Sequence, residues 1–249
     1  MLNFLDPETL PPAPSISLSA EWRWRLFLFL LAAFLRLFLL TSVPPGLTHD
    51  EADHGLSAWG VVEGERPIYF TVGYGREPLY DYLTAFVMAP LGPTFLAQRL
   101  VSVFLSLIAL AATYVLVRRL FNARVALLTL AGLSVGFWPL MVARQALRTI
   151  SLLPFLVLTI YFWIGRQRGA EEAEERPSSA HLFGGWPTVW AGLLLGASFY
   201  TYLPARLMWG LLPAMLLVWL VHNRPLFEHM WRKTAVILTI AAVVASPSK

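Results

Sequence analysis

The densest group of ionisable side chains in the chain is the hexapeptide HDEADH at residues 49–54, which follows the Pro44-Pro45-Gly46 turn. Carboxylates and imidazoles this close together are suited to two kinds of chemistry. A carboxylate can accept a proton from a reacting group, as a general base does. Histidine and carboxylate ligands together also suit a divalent cation such as Zn²⁺ or Mn²⁺.

Spacing within the hexapeptide identifies candidate ligands for such a cation. His49 and Asp53 are four residues apart, as are Asp50 and His54, and this spacing places two ligands on one face of a helix. His49, Asp53 and His54 are therefore candidate ligands for Mg²⁺, Mn²⁺ or Zn²⁺, although two histidines are too few for a closed structural site. The simpler alternative is a helix whose first turn contains acids, which the helix dipole favours.

A second set of candidates consists of arginines that lie far from the hexapeptide in sequence. Arg144 and Arg148 are four residues apart, and on a helix they would share one face and clamp a phosphate. The alternative is that they extend to lipid headgroups. Arg206 is a further candidate for the same pocket, together with the aromatic side chains of Tyr80 and Tyr202. The tyrosines are equally expected at a membrane interface.

Composition shows which class of protein positions these residues. The 249 residues are 57% hydrophobic and only 14% charged, and cysteine is absent. Soluble proteins are about 25% charged, so the composition excludes an ordinary soluble enzyme, a disordered chain and a disulfide-bonded secreted domain. The net charge of +4 does not indicate a nucleic-acid partner, because the charges cluster at the ends of long apolar runs.

Those runs predict an all-α, polytopic transmembrane bundle, since a helix crosses the hydrocarbon with about 20 apolar residues. The prolines in and beside the runs are tolerated in membrane helices. About seven spans are expected, at Leu26–Val43, Gln98–Val117, Val125–Val142, Ile150–Ile164, Pro187–Tyr202, Arg206–Val221 and Thr234–Ala245.

The segment Pro78–Gly92 is apolar but short, begins with proline and contains Asp81. We predict an interfacial or re-entrant helix there. With this segment not spanning and the N-terminus inside, eleven basic residues fall on the inner side and six on the outer side, as the positive-inside rule requires. The six outer residues are Arg66, Arg76, Arg99, Arg144, Arg148 and Arg206.

This topology divides a single domain, residues 1–249, into three kinds of segment. Residues 1–22 form a cytoplasmic tail, and residues 44–97 form a long first extracytoplasmic loop with interfacial helices. Residues 166–180 have mixed charge and contain proline and serine, which is typical of a solvated connecting loop. Arg36, within the first span, is a further candidate for binding substrate, and it is expected either to extend outward or to pair with Asp50 or Asp53.

Residues 36–60 (RLFLLTSVPPGLTHDEADHGLSAWG) resemble a signature of membrane glycosyltransferases that use polyprenyl-phosphate sugars. These form the C-type superfamily, which includes family 39, the protein O-mannosyltransferases and the bacterial aminoarabinose transferases. Residues 77–83 (EPLYDYL) are similar to the family's Pro-Pro-Leu-Tyr-Tyr stretch, with Glu77 in place of the first proline. Residues 98–121, 143–154 and 199–206 resemble its later segments.

The resemblance implies an inverting glycosyltransferase in the cell membrane, active on its extracytoplasmic face. Asp50 matches the family's catalytic aspartate, and Glu51 is expected to orient Asp50, a substrate hydroxyl or a metal. The partners implied are membrane lipids, a polyprenyl-phosphate sugar and a glycan, lipid or protein acceptor. Two alternatives remain open: a transporter or flippase of lipid-linked sugars, and an inactive fragment, because the family's chains are usually longer.

Overall fold

A computed structural model describes residues 17–72, 75–165 and 185–246. These residues form helices joined by short connections, and the described part contains no strand apart from one isolated bridge between Phe70 and Arg76. The helices are α1 (Leu18–Leu37), α2 (His49–Val62), α3 (Leu79–Leu91), α4 (Phe95–Leu120), α5 (Ala123–Val135), α6 (Phe137–Arg144), α7 (Thr149–Ile164), α8 (Gly185–Ser198), α9 (Ala205–His222) and α10 (Arg224–Ala245). The all-α bundle predicted from the sequence is confirmed.

Seven membrane spans were predicted, but fewer of the described helices are both long enough, at 18 residues or more, and apolar enough to cross a membrane. α4 and α9 meet this criterion separately, and α5 with α6 meets it as a bent pair. α7 is apolar but has only 16 residues. Residues 1–16 of the predicted tail (residues 1–22) and the mixed-charge loop at 166–180 lie outside the described residues.

The first predicted span is displaced toward the N-terminus. α1 begins at Leu18, where Ser17 caps it by accepting a hydrogen bond from the backbone N–H of Ala20. The helix therefore includes residues assigned to the cytoplasmic tail. It ends at Leu37, before the predicted Val43, because the chain turns at Leu39, whose φ is +51°.

The predicted span Val125–Val142 is a broken helix. α5 and α6 meet at an angle of 56°, with Gly136 between them. A Cβ at Gly136 would lie 2.7 Å from the carbonyl oxygen of Gly132, so this close approach requires glycine. Pro139 follows in the first turn of α6, where its missing N–H has no intrahelical partner to lose.

Contacts between helix ends divide the bundle into two opposite ends. At one end, Tyr114 and Arg118 of α4 donate to Glu21 near the start of α1, and Lys233 donates to the carbonyl oxygen of Trp163 at the end of α7. At the other end lie the C-terminus of α1 and the N-termini of α2, α3, α4 and α7. Arg118 and Lys233 therefore lie at one end of the bundle, and Arg99, near the N-terminus of α4, lies at the other.

Packing and exposure fit a bundle surrounded by lipid. Leu207 and Val221 of α9 are 80% and 77% exposed, and helix faces this apolar are stable in hydrocarbon rather than in water. α8 packs closely on α10 at Gly196, where an added Cβ would lie only 2.6 Å from Cβ of Val244. α3 has 13 residues and rises about 20 Å, too little to cross the hydrocarbon.

Candidate active site

The hexapeptide forms the first turns of α2, as the helix-start interpretation predicted. Thr48 caps the helix: its hydroxyl accepts from the backbone N–H of Glu51, and the Glu51 carboxylate accepts from the N–H of Thr48 at 2.9 Å. This reciprocal pair satisfies two backbone groups that a helix start otherwise leaves unpaired. Asp50 lies between the two residues and is exposed.

The adjacent carboxylates of Asp50 and Glu51 therefore differ in environment, since Asp50 is exposed and Glu51 is buried. Glu51 is fully buried and its Oε1 accepts from Arg99 Nε at 3.3 Å and from the backbone N–H of Ala146 at 2.9 Å. Both of its oxygens are thus used by the protein, and neither contacts Asp50. Glu51 fixes the start of α2 against α4 and the α6–α7 connection, whereas Asp50 beside it is open to solvent.

Arg99 completes this junction from α4. Its guanidinium donates to the carbonyl oxygens of Leu40 at 3.0 Å and Pro44 at 2.9 Å, and to that of Gly46. These carbonyls belong to the turn between α1 and α2, where no helix provides partners for them. Arg99 therefore holds the turn that precedes Asp50 in place.

Arg144 does not share a helical face with Arg148, contrary to the sequence-based expectation. α6 ends at Arg144, Gln145 is extended and α7 begins at Thr149. Arg144 donates to the carbonyl oxygens of Leu35 at 2.6 Å and Val43 at 2.8 Å, and it also reaches those of Arg36 and Leu39. Its guanidinium thus pairs with carbonyls that the end of α1 leaves without partners.

Arg148 and Arg206 do come together, on opposite sides of Glu77. Arg148 Nη1 lies 3.0 Å from Glu77 Oε2, and Arg206 Nη2 lies 3.7 Å from Oε1. Arg148 also stacks on the ring of Tyr202 at 5.4 Å. The backbone supports this meeting of segments, because the N–H of Leu79 donates to the carbonyl oxygen of Tyr200 at 3.0 Å.

Arg36 neither extends outward nor pairs with Asp50 or Asp53, so both sequence-based expectations for it are wrong. It is fully buried and donates to Ser106 Oγ at 2.9 Å and to the carbonyl oxygens of Leu133 and Ser134. Those carbonyls lie at the end of α5, beside the break at Gly136. Arg36 therefore stabilises the broken helix.

The three candidate metal ligands do not converge. His49 is exposed and lies 3.6 Å from Asp53, whereas His54 is buried and places Nδ1 2.5 Å from Asp81 of α3. Within residues 17–72, 75–165 and 185–246, no three His, Asp or Glu side chains are close enough together to hold an ion. His49, Asp53 and His54 therefore do not form a metal site together in the described part of the chain.

His54 instead belongs to a polar network between α2 and α3. Arg76 donates to Ser57 Oγ at 2.7 Å and to the backbone oxygen of Asp53 at 2.8 Å, and its Nε lies 3.5 Å from Asp81. His54 and Arg76 thus lie on the fully buried carboxylate of Asp81. A buried charge requires such partners. The network holds α3 against the helix that carries Asp50.

Tyr80 lies behind this network rather than in an open pocket. Its side chain is fully buried, its hydroxyl is 2.8 Å from Ser102 Oγ, and its ring packs edge-on against His54. Burial raises the pKa of Tyr80, so its hydroxyl stays protonated. The structure places Tyr80 as a support for α2.

Two site residues were missed by sequence reasoning. Glu77 pairs with both Arg148 and Arg206, and Asp81 is the partner of His54. The signal available was their position in EPLYDYL, where Glu77 was considered only as part of a family motif and Asp81 only as an argument against a membrane span. Arg99 was counted among the outer arginines, but its spacing gave no indication that Glu51, 48 residues away, is its partner.

Comparison with known proteins identifies the family. The family described as dolichyl-phosphate-mannose-protein mannosyltransferase matches residues 75–248, which is more than half of the chain and begins after the hexapeptide. No curated protein and no solved structure gave a significant match. Together with the apolar helical bundle, the match shows that this chain belongs to the dolichyl-phosphate-mannose-protein mannosyltransferase family, membrane glycosyltransferases that in general use lipid-linked sugar donors.

Proposed function

We propose that this protein transfers a sugar from a polyprenyl-phosphate donor to an acceptor hydroxyl at the extracytoplasmic face of the cell membrane. The acceptor oxygen attacks the anomeric carbon while the bond from that carbon to the phosphate oxygen breaks. The configuration is inverted because the displacement occurs in one step. The products are the glycosylated acceptor and the polyprenyl phosphate.

Asp50 is the general base in this proposal. As the acceptor oxygen forms its bond to the sugar, its proton passes to the Asp50 carboxylate. Asp50 suits this role because it is exposed on a helix start that buried groups fix in place. Glu51 is a positioning residue, since its contacts to Arg99 and Ala146 set where Asp50 is presented.

Arg148 and Arg206 bind the donor phosphate and stabilise the charge that grows on it as the sugar leaves. Glu77 pairs with both arginines when no donor is present and offsets one of their two positive charges. The 3.7 Å contact between Arg206 and Glu77 is the weaker of the two ion pairs, and the Arg206 side chain is 50% exposed. The donor phosphate therefore displaces Glu77 from Arg206 first, while Arg148 stays anchored by Glu77 and Tyr202.

One observation carries the proposal: Glu51 accepts from the backbone N–H of Ala146, two residues before Arg148. This hydrogen bond ties the helix start that presents Asp50 to the segment that carries an arginine of the Glu77 cluster. The base and the phosphate-binding group therefore belong to one end of the bundle. A donor at the membrane surface would there meet an acceptor that arrives from water.

The experiment is sugar transfer in membranes against a panel of polyprenyl-phosphate sugars. We expect Asp50→Asn to abolish transfer without changing the amount of folded protein, because Asp50 has an exposed side chain. The matched control is Glu63→Gln, an exposed carboxylate at the other end of α2, which should transfer normally. Undiminished transfer by Asp50→Asn would remove Asp50 as the base.

The phosphate-binding role needs a separate measurement. Arg206→Ala should raise the donor KM about 10- to 150-fold, the effect of losing a charge-assisted hydrogen bond of about 1.5–3 kcal/mol. Arg206→Lys keeps the charge and should restore part of the loss. An unchanged KM for both variants would contradict phosphate binding by Arg206.

A further inference from the structure

A cavity of about 800 Å³ lies at the end of the bundle opposite the candidate active site. It is formed where α4 and α7 end, and its lining includes Val115, Arg118, Arg119, Tyr161 and Phe162. Arg119 follows Arg99 by 20 residues on the same helix, which is about 30 Å along the helix axis. The cavity is therefore separate from the Glu77 cluster.

Arg119 is the central cation of the cavity. Its Nη1 donates to the carbonyl oxygen of Tyr161 at 3.2 Å, and its guanidinium lies 5.0 Å from the centre of the Tyr161 ring. Its Nη2 is buried and has no hydrogen-bond partner among the described residues. A buried donor without a partner is unfavourable, so an acceptor from outside the described residues would stabilise it.

The charges around the cavity do not balance within the described part of the chain. Arg118 is paired with Glu21 at 2.8 Å. Arg119 has no carboxylate partner among the described residues, and Lys233 donates only to the carbonyl oxygens of Phe162 and Trp163. Two arginines thus line the cavity and Lys233 lies nearby, with one carboxylate among the described residues to balance them, which favours an anionic ligand.

The side chains that line the cavity indicate what kind of anion would bind there. Apolar side chains lie beside the arginines, among them Val115, Leu120 and Ile164. α4 is also one of the two helices that meet the length and apolarity criterion for a span separately. A basic pocket between helix ends, with apolar surface running away from it, suits a charged headgroup and its acyl chains.

We propose that this cavity binds the phosphate headgroup of an anionic phospholipid, with Arg119 as its principal contact. The Nη2 group supplies the donor that the described protein leaves unpaired, and Lys233 adds positive charge beside it. The acyl chains lie along the apolar side chains of α4 and α7. Lipid binding here is independent of the glycosyl transfer proposed for the opposite end.

Native mass spectrometry of the purified full-length chain tests this directly. Phosphatidylglycerol is the anionic probe and phosphatidylcholine the zwitterionic one. We expect selective retention of phosphatidylglycerol by the wild type and about fivefold weaker retention by Arg119→Ala, as for one basic residue near an anionic headgroup. Arg119→Lys keeps the charge and should recover most of the binding, which separates headgroup binding from a folding defect.

The matched control is Arg124→Ala. Arg124 lies near the start of α5 at the same end of the bundle, but it does not line the cavity, so its loss should leave retention unchanged. Equal retention of the two lipids by the wild type would overturn the proposal. It would also be overturned if Arg119→Ala bound phosphatidylglycerol as the wild type does.

Discussion

Removing the carboxylate of Glu51 should destabilise the fold, whereas removing the neighbouring carboxylate of Asp50 should not. Glu51 is fully buried and accepts from Arg99, Ala146 and Thr48. In Glu51→Ala, the buried guanidinium loses its counter-charge and a buried backbone N–H loses its acceptor. These are two of the few mechanisms that make single substitutions costly.

The loss of stability in Glu51→Ala depends on the hydrogen-bond partners that Arg99 keeps. Breaking a buried ion pair costs about 3–5 kcal/mol when one charge is left uncompensated. Arg99 still has the carbonyl oxygens of Leu40, Pro44 and Gly46, which favours the lower limit of about 3 kcal/mol. Glu51→Gln keeps one oxygen for Ala146 but turns an amide donor toward the Thr48 N–H, so we expect about half that loss.

Thermal unfolding in detergent is the assay. For a chain of this length, 1 kcal/mol changes Tm by about 2–4 °C, so Glu51→Ala should melt about 6–12 °C below the wild type. Asp50→Asn is the matched control, because it removes the same charge from the same helix turn without disturbing a buried partner. It should melt within about 2 °C of the wild type. If Glu51→Ala also melts within that range, the buried junction does not stabilise the fold as argued.

Three further substitutions test other parts of the structure. Arg36→Met should lower Tm by about 4–8 °C, since the carbonyls at the end of α5 lose their donor and the cost is about 2 kcal/mol; an unchanged Tm in the same melt would contradict it. Gly196→Leu should destabilise the contact of α8 with α10 by about 1–3 kcal/mol or more through overpacking, while Gly210→Leu, where a Cβ has nothing within 4 Å, should unfold like the wild type. Glu77→Gln should lower the donor KM about two- to fivefold, because the phosphate no longer competes with a carboxylate for Arg206, and a higher KM would show that Glu77 aids donor binding.

Much of the fold was predictable from hydropathy, because apolar runs near the length of a membrane span become helices with few alternatives. Ile150–Ile164 and Arg206–Val221 match α7 and α9 to within one residue at each end. The start of α1 was missed since Glu21, Arg23 and Arg25 make its first turns polar. The break near Gly136 was missed because prolines in membrane helices often leave the helix continuous.

The candidate site was predicted in part, and the difference between arginines shows why. Arg148 and Arg206 were proposed from their position at helix ends, and they meet at Glu77. Arg144 had the same sequence context, but it donates to carbonyls of the α1 end more than 100 residues earlier. Backbone carbonyls carry no sequence signature, so a capping arginine and a ligand-binding arginine look alike until the chain is folded.

The same consideration changes how basic residues on the outer side of such a bundle should be interpreted. Membrane helices that end or bend within the protein leave carbonyls that neither lipid nor a helix can pair. Arg36, Arg99 and Arg144 each provide several donors for such carbonyls. Their contacts therefore reflect the end of α1 and the break between α5 and α6, and an arginine near the outer side of the bundle is insufficient to indicate phosphate binding. Arg148 and Arg206 differ because their partner is a carboxylate side chain, which an anionic substrate can replace.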